Sequence, residues 1–467
     1  MTELVPKAGT AIGRRAAWRQ QWSSLIVTIT THPGSKTLAM FKTTASLGVL
    51  AAMMIAGAGT ASSAQRGGVP RTANQVMAPT PALGYAPRVV QRAYGVTPLL
   101  REGIDGRGET VILPETLPPG GWTSIRQALA AFDQRNHLRR VDLKLGRALG
   151  FTGNTSLATG EEVQDVEMVH TIAPGATIRV MLIPFRAFAF PAGLPSLFRA
   201  AAQRGNVVSF SQSECGSRRC LSAGKLRSLN DALRYARDRH VSIFASAGDT
   251  GAATGNLRHG GDRGVNAPAS SPLITGVGGT KLRVLPHGGY GSESVWNDDV
   301  GHPSSTGARL SAGGGGISAR YARPGYQDGL PVIGDHRGVP DVAALAEPGM
   351  ASVLALDGRA HTYPGGGTSE SAPLWAGIAA LADQNAHRQL GFLNVGLYRI
   401  GHSKLYHRAF HDITQGNNTV TLLSGRDLNG YRARPGWDPV TGWGSPNAQV
   451  LVPLLGREVH PGDGHGL

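Results

Sequence analysis

The sequence has little of several features that mark common protein classes. Only two of its 467 residues are cysteine, too few for a disulfide framework or a four-thiolate zinc site. Charged residues make up 16%, below the roughly 25% of an ordinary soluble domain. Hydrophobic residues reach 41%, enough for a large core, so a disordered chain is excluded. The 65 glycines follow no three-residue period, which excludes collagen and indicates many tight turns.

Long apolar runs are also scarce, and the chain has one, at residues 43–58. Its uninterrupted part is about a dozen residues, short of the roughly 20 that a membrane-spanning helix needs. Lys36 and Lys42 precede the run, and small residues follow it up to Ala64. This order predicts a secretory signal peptide cleaved after Ala64, with an uncleaved anchor as the alternative. The protein is therefore expected to be secreted and to meet a membrane only through this transient segment.

Export bears on the two cysteines and on the start of translation. In an oxidising compartment Cys215 and Cys220 can form a disulfide that closes a small loop, and two free thiols are the alternative. Because the apolar run begins unusually late, Met40 would be a better-placed initiator than Met1.

Acidic residues are the scarcer charge, with 31 Asp and Glu against 46 Lys and Arg, a formal net charge of +15. Six of the basic residues and one acidic residue lie in residues 1–64, so the remainder carries +10. That remainder has no long basic run and no interleaving of basic and aromatic residues. Nucleic acid is therefore not expected as a partner.

The rest of the chain reads as one α/β domain. Residues 65–84, rich in Gly, Pro, Ala and Thr, are predicted to be a linker, and residues 457–467 a short tail. Continuously apolar strands separated by helical patterns predict a largely parallel sheet covered by helices on both faces. The predicted strands are 110–115, 177–183, 206–210, 241–248 and 271–278, and the predicted helices are 124–133, 161–172, 225–238 and 371–386.

A Gly-rich stretch that runs into a helix carries the first candidate catalytic residue. Residues 365–384 place Thr368 and Ser369 at this junction, with Pro373 predicted in the first turn of the helix. The free N–H groups and the dipole of a helix N-terminus favour developing negative charge, which suits a nucleophilic serine. On position alone, Ser369 could equally be an N-cap. The order Gly-Thr-Ser-x-Ser-Ala-Pro is more specific, because serine proteases of the subtilisin type carry it.

The base that such a serine needs is not an obvious histidine. The His-Gly-Thr motif of the subtilisins is missing, but Glu161 and Asp165 lie four residues apart on one face of a predicted helix. The same face continues through the apolar Met168 and Ile172, so it is expected to point inward. The alternative is that the acidic residues only complement the helix dipole.

A third element is the segment 244–251, in which Asp249 follows Ser-Ala-Gly after a strand. A subtilisin has Asn at this point, which donates a hydrogen bond to the oxyanion. An ionised Asp cannot donate but a protonated one can. The alternative is an aspartate of a turn.

Together these segments resemble the sedolisins, the serine-carboxyl peptidases of subtilisin-like fold. The resemblance covers roughly residues 85–456 and implies a three-layer α/β peptidase domain over that range. Further segments that resemble the family are residues 85–96, 266–280, 293–297, 311–327 and 338–348.

The resemblance implies a role for each candidate residue. Ser369 would be the nucleophile, Glu161 its general base, Asp165 the partner of Glu161, and protonated Asp249 a donor in the oxyanion hole. Two neighbouring carboxyls cannot both ionise cheaply, so acidic pH is expected to be optimal. Glu115 is a candidate match for a further acidic residue of the family, and this match is left open. The implied substrates are proteins or peptides, and a monomer is expected.

The C-terminal part resembles the calcium-binding segments of the same family. Calcium prefers about six oxygen ligands, which loops can supply as carboxylates and backbone carbonyls. The resemblance implies one structural Ca²⁺ ion. Its ligands would be the carboxylates of Asp412 and Asp438 and the carbonyls of Ile413, Arg434 and Gly436.

Three other readings remain. The first is an inactive sedolisin-like homologue that acts as a binding or surface protein. The second is a subtilisin whose histidine is His170, five residues beyond Asp165 and about 140° around the helix from it. The third is a basic surface protein that binds anionic envelope polymers.

Overall fold

The computed structural model describes part of the chain, namely residues 77–116, 123–184, 193–213, 222–254, 261–298, 311–330, 332–422, 424–465 and 467. The predicted signal peptide, Met40 and both cysteines lie outside these residues. No helix in the described ranges is both long and apolar enough to cross a membrane.

Ten α-helices lie in the described residues. They are α1 (Pro87–Ala93), α2 (Val96–Arg101), α3 (Ile125–Asn136), α4 (Gly160–Ile172), α5 (Gly193–Ala202), α6 (Ala223–Arg237), α7 (Thr368–Ala386), α8 (Asn394–Gly401), α9 (Tyr406–Ala409) and α10 (Ala448–Glu458).

The strands of the same ranges are β1 (Thr110–Thr116), β2 (Thr123–Ser124), β3 (Asp142–Arg147), β4 (Leu157–Ala158), β5 (Thr177–Ile183), β6 (Val207–Phe210), β7 (Ser242–Ser246), β8 (Ala253–Thr254), β9 (Asp262–Arg263), β10 (Thr275–Val284), β11 (Tyr290–Val295), β12 (Gly316–Ala322), β13 (His336–Val339), β14 (Val342–Glu347), β15 (Ala351–Leu356), β16 (Arg359–Pro364), β17 (Phe410–His411), β18 (Val420–Thr421), β19 (Asp427–Leu428) and β20 (Ser445–Pro446).

One eight-stranded sheet organises the fold. Its strands lie in the order β11-β10-β7-β6-β1-β5-β3, and β14 also pairs with β10. All these pairs are parallel except β10 with β11, which is antiparallel. The largely parallel sheet predicted from the sequence is confirmed.

Alternate residues of the strands serve the two faces of this sheet, as the two-residue period of a strand requires. In β1, Val111 and Leu113 pack in one apolar cluster with residues of α4 and α7, whereas Ile112 packs in another with residues of α5 and α6. Both faces are thus covered by helices, which explains why the strands are apolar throughout.

Helix α7 is the central helix of the first face. Sixteen of its 19 residues are buried, and it contacts α4, α10 and several strands. A helix that is apolar nearly all round its axis belongs inside a protein rather than at its surface. Its N-terminus is therefore held in a fixed position relative to the sheet.

Two details of the sequence prediction are wrong. The predicted strand 271–278 begins only at Thr275, because the preceding residues form turns, with Ile274 N–H donating to the carbonyl of Ser271. Helix α7 begins at Thr368, three residues before the predicted start, so Pro373 lies in its second turn rather than its first. Pro373 has no N–H to donate to the carbonyl of Ser369, which is left available to another donor.

Candidate active site

Ser369 is the second residue of α7 and does not cap it. The N-cap is Gly367, with φ 75° and ψ 172°, and no side chain caps this end. A Cβ on Gly367 would lie 2.5 Å from Oδ2 of Asp249. Both the backbone angles and the close approach therefore require glycine here. The N-cap interpretation of Ser369 is wrong.

Three neighbouring parallel strands deliver side chains to the N-terminus of α7. Glu115 lies near the end of β1, Ser211 directly follows β6, and Asp249 follows β7 by three residues. The strands are adjacent in the order β7-β6-β1. Carboxyl ends of parallel strands meet at one edge of a sheet, where α/β proteins bind ligands.

Helix α4 brings two acidic residues to the same place. It begins with a capping box, in which Glu162 accepts a hydrogen bond from Thr159 N–H at 2.6 Å. Glu162 therefore fills the helix-capping role, and Glu161 is turned toward α7. Asp165, one turn further on, is fully buried, as are Met168 and Ile172 on the same face. The acidic pair thus lies on an inward face.

Glu161 interacts with Ser369 at this end of α7, although the hydroxyl of Ser369 donates to the carbonyl of Ser211 at 3.2 Å in this structure. Burial raises the pKa of Glu161 well above its usual value, and the charges of Asp165 and Asp249 raise it further. A hydrogen bond with Ser369 acts in the opposite direction and stabilises the ionised form. The nucleophile and base proposed from the sequence are therefore within hydrogen-bond reach of each other.

Asp165 and Glu115 form a buried carboxyl pair. Burial raises the pKa of Asp165 to about 7, against hydrogen bonds from Ser211 and Glu115 that lower it. Burial and the charge of Asp165 raise the pKa of Glu115 well above its usual value. Two carboxyls can share a hydrogen bond only if one holds a proton, and these directions assign it to Glu115.

Asp249 is tied to the turn before Ser369. Its Oδ1 accepts hydrogen bonds from Thr368 N–H at 2.8 Å and from Thr368 Oγ1 at 2.7 Å. Burial raises the pKa of Asp249, although these two hydrogen bonds lower it. Because Oδ1 already accepts twice, a proton on Asp249 belongs on Oδ2, from which it can be donated.

Gln164 holds the Gly-rich loop against α4. Its Nε2 donates to the carbonyl of Gly366 and its Oε1 accepts from Gly366 N–H, both at 3.3 Å. Nε2 also lies 3.3 Å from Oε2 of Glu161. The loop that precedes Ser369 is thus fixed by α4 on one side and by Asp249 on the other.

His170 lies apart from this site. It is fully buried, and its Nε2 lies 3.0 Å from Oδ1 of Asp133 on α3, without the alignment of a hydrogen bond. No contact joins it to Ser369 in the described part of the chain. The geometry does not favour a subtilisin with His170 as its base.

Sequence reasoning found four residues of this cluster and missed others. It left Glu115 open, gave Thr368 no role, and did not identify Ser211 or Gln164. An acidic residue at the end of an apolar strand was the available signal for Glu115. The others are common polar residues whose contacts arise only in the fold.

The C-terminal acidic residues form a second cluster. Both oxygens of Asp438 accept hydrogen bonds, from the N–H groups of Arg434, Val440 and Thr441 and from the Thr441 hydroxyl. Gly436 N–H donates to Oδ2 of Asp412 at 3.1 Å, which brings the two loops together. Gly436 has φ 77°, whereas Arg434 is not in the left-handed region, so an arginine there carries no such strain.

This arrangement fits a cation in part. Burial raises the pKa of Asp438 to about 6, and Oδ1 of Asp412 is buried with no donor among the described residues. In those residues no three His, Cys, Asp or Glu side chains are grouped to hold a metal. A cation here would therefore depend on backbone carbonyls together with the two carboxylates.

The fold and the site together define the class of protein. A largely parallel α/β sheet presents a serine at the N-terminus of a buried helix, with buried carboxyl groups beside it. No protein-family model matches the chain, but individual proteins do.

Kumamolisin from Bacillus sp. (strain MN-32) is 32% identical over 395 residues, which are 82% of this chain and 65% of kumamolisin. Sedolisin from Pseudomonas sp. (strain 101) is 28% identical over 335 residues, 70% of this chain and 54% of sedolisin. Human tripeptidyl-peptidase 1 is 31% identical over 256 residues, 50% of this chain and 41% of that protein. The chain therefore spans less than two thirds of the curated relatives it matches.

A solved structure supports the same relationship. Pseudomonas sedolisin, described as a serine-carboxyl proteinase in complex with two molecules of pseudo-iodotyrostatin, superposes with a TM-score of 0.68 at 25% identity. The match covers 81% of this chain and 100% of that one. These matches support a relationship to the sedolisin family, and the fold is subtilisin-like.

Proposed function

We propose that the protein is a serine-carboxyl endopeptidase that hydrolyses peptide bonds of proteins or peptides through an acyl-enzyme. The observation that carries the proposal is the interaction of Glu161 with Ser369 at the N-terminus of α7. Ser369 is 8% exposed, so its hydroxyl is enclosed by the site. The relatives, whose names describe peptidases and proteinases, support the same chemistry.

Each proton that moves in the proposed reaction has a named donor and acceptor. Ser369 Oγ attacks the carbonyl carbon of the peptide bond and its proton passes to ionised Glu161. The oxyanion is stabilised by Asp249, donating from Oδ2, and by the positive end of the α7 dipole. The C–N bond then breaks as Glu161 returns the proton to the amine. Water repeats the sequence on the acyl-enzyme and releases Ser369.

The protonation states required for this reaction belong to acidic pH. Glu161 must be ionised while Asp249 keeps its proton and Glu115 and Asp165 keep the one proton that they share. Part of the rise in the pKa of Glu161 comes from the charges of Asp165 and Asp249. While Asp249 is protonated its share of this rise is absent, which eases the ionisation of Glu161. At higher pH the pair of Glu115 and Asp165 loses its shared proton and Asp249 loses the proton that it donates, and activity falls.

Digestion of a denatured protein across pH 3–8 tests the proposal. We expect most cleavage in acid and a loss of at least about 1000-fold in Ser369→Ala and Glu161→Gln, as for other nucleophile and base deletions. Ser371→Ala is the matched control for the serine. It removes a buried hydroxyl of the same helix, which donates to the carbonyls of Ala344 and Leu345. Parental activity in Ser369→Ala, or cleavage that is maximal at neutral pH, would refute the mechanism.

The C-terminal cluster is proposed to bind one structural Ca²⁺ ion. Asp412 and Asp438 would supply carboxylates, and Ile413, Arg434 and Gly436 would supply carbonyls. The ion would neutralise two acidic loops that meet in a buried place. Its role is to stabilise the C-terminal loops, and no step of the reaction passes through it.

Export completes the proposal. The apolar run at residues 43–58 and the small residues up to Ala64 support cleavage of a signal peptide and release of the enzyme. Sequencing of the N-terminus of the secreted protein should find Gln65, and an N-terminus upstream of residue 43 would contradict cleavage.

A further inference from the structure

Ser211 touches two of the proposed catalytic residues, although it is uncharged and lies on a third element. It directly follows β6 and is buried. Its Oγ donates a hydrogen bond to Oδ2 of Asp165 at 2.5 Å. Its carbonyl oxygen accepts a hydrogen bond from Oγ of Ser369 at 3.2 Å. One residue thus joins α4 to α7 through both its side chain and its backbone.

The single hydrogen of the Ser211 hydroxyl has two acceptors in reach. Oδ2 of Asp165 lies at 2.5 Å and the carbonyl of Ser369 at 3.2 Å. The shorter contact, to a carboxylate, is the stronger one. The Ser369 carbonyl is available at all because Pro373, four residues on, has no N–H to give it. The hydroxyl is therefore lodged between the carboxylate and the first turn of α7.

The carbonyl of Ser211 also serves two donors. Besides Ser369, it accepts from Oγ of Ser246 at 3.0 Å, which uses its second lone pair. The Ser369 hydroxyl in turn has two acceptors, this carbonyl and the carboxylate of Glu161. When Glu161 holds a proton, the carbonyl keeps the nucleophile oriented. When Glu161 ionises, the hydroxyl turns to the base.

We propose that Ser211 is a positioning residue for the reaction of Ser369. Its hydroxyl fixes the carboxylate of Asp165, and its carbonyl is the resting acceptor of the nucleophile. This inference rests on the proposed peptidase function.

The acidic groups around Asp165 determine how the hydroxyl of Ser211 affects the pKa of that residue. Burial and the charge of Glu162 raise the pKa of Asp165, whereas the hydrogen bonds from Ser211 and Glu115 lower it. Asp165 in turn raises the pKa of its carboxyl neighbours. The acidic groups that face it are Glu115 from β1, Glu161 and Glu162 from α4, and Glu370 from α7.

Removal of the hydroxyl should therefore move the pH profile. In Ser211→Ala the proton shared by Glu115 and Asp165 is held to higher pH. We expect the alkaline limb of the pH profile of kcat/KM to move to higher pH by about one unit. This is the effect of losing one hydrogen bond to a charged group. We also expect kcat to fall about tenfold with little change in KM. A merely structural serine would change the amount of active protein and leave the limb in place.

Ser209→Ala is the matched control. Ser209 lies two residues earlier on β6, is fully buried, and its Oγ makes no hydrogen bond within the described residues. This variant should keep the parental limb. The assay uses the full secreted protein and a denatured protein substrate, with the active fraction measured by titration of Ser369 with an organofluorophosphate.

Several outcomes would overturn the proposal. An unmoved alkaline limb in Ser211→Ala would do so, as would an equal shift in Ser209→Ala. If Ser211→Ala does not fold, Ser211→Gly is read in its place, and misfolding of both would assign Ser211 to the core instead. If the parent protein is active and the alkaline limb of Ser211→Ala is unmoved, only the proposed role of Ser211 is refuted. A parent that is inactive at every pH refutes the proposed function, and this inference with it.

Discussion

Gly367→Ala is predicted to remove activity out of proportion to its effect on stability. Gly367 has φ 75° and ψ 172°, a region that only glycine occupies without strain. That strain costs about 1–3 kcal/mol. In addition, the new Cβ would lie 2.5 Å from Oδ2 and 3.2 Å from Cγ of Asp249. A Cβ does not approach a non-bonded atom this closely in proteins, so the carboxyl of Asp249 must move.

The displacement falls on the group that is proposed to stabilise the oxyanion. Loss of one oxyanion donor costs about 100- to 1000-fold in kcat. We therefore expect Gly367→Ala to lose kcat on that scale while KM changes little, with the protein still folded. The assay is steady-state cleavage of a peptide at acidic pH, with melting temperature measured on the same samples.

Gly358→Ala separates strain from the clash. Gly358 also has a positive φ, 72°, but a Cβ there would meet no atom within 4 Å. It lies in the turn between β15 and β16. This control should lose about 1 kcal/mol of stability and keep the parental kcat. A Gly367→Ala variant with parental kcat would refute the placement of Asp249 in the oxyanion hole.

The remaining predictions concern the metal and stability. A chelator should lower the melting temperature, and Asp412→Asn should lower it too while reducing the chelator's effect, with the exposed Asp231→Asn as control. A melting temperature that is the same with and without chelator would count against the calcium site. The fold should also be most stable in acid. Burial raises the pKa of Asp383 and Asp165 to about 7, so the stability they contribute is complete below about pH 4 and is lost as the pH rises through 7. Burial lowers the pKa of His411 to about 4, so the stability that this residue contributes changes with pH in the opposite direction. It is one group against two. A melting temperature that rises between pH 4.5 and pH 8 would contradict this reasoning.

The architecture was predictable because its signals are local and repeated. The strand at 177–183 was predicted with its observed bounds, since a run of apolar residues ends at Pro184. Helix α4 was predicted within one residue, because its apolar period and its first-turn acids are both in the sequence. The start of α7 was misplaced, because the signal at its junction is a glycine whose backbone angles are visible only in the fold.

The site was predictable only where its residues form patterns that are unusual in a sequence. Two acids four apart, an aspartate after Ser-Ala-Gly and a serine in a Gly-rich motif are rare enough to notice. Ser211 and Gln164 are not, because serine and glutamine are common and their partners lie far along the chain. Gln164 meets a loop 202 residues away, and no local pattern encodes a contact of that kind.

The capping box at the start of α4 restricts how the chain can vary in length. Thr159 fixes where the helix begins, so Glu162 caps it while Glu161 and Asp165 face α7. Each residue of a helix turns it by about 100°, so one residue inserted between Thr159 and Asp165 would rotate every following side chain to a new direction. The exposed residues 152–154 just upstream have no such constraint. Insertions and deletions should therefore accumulate before Thr159, whereas the six residues that follow it keep their number.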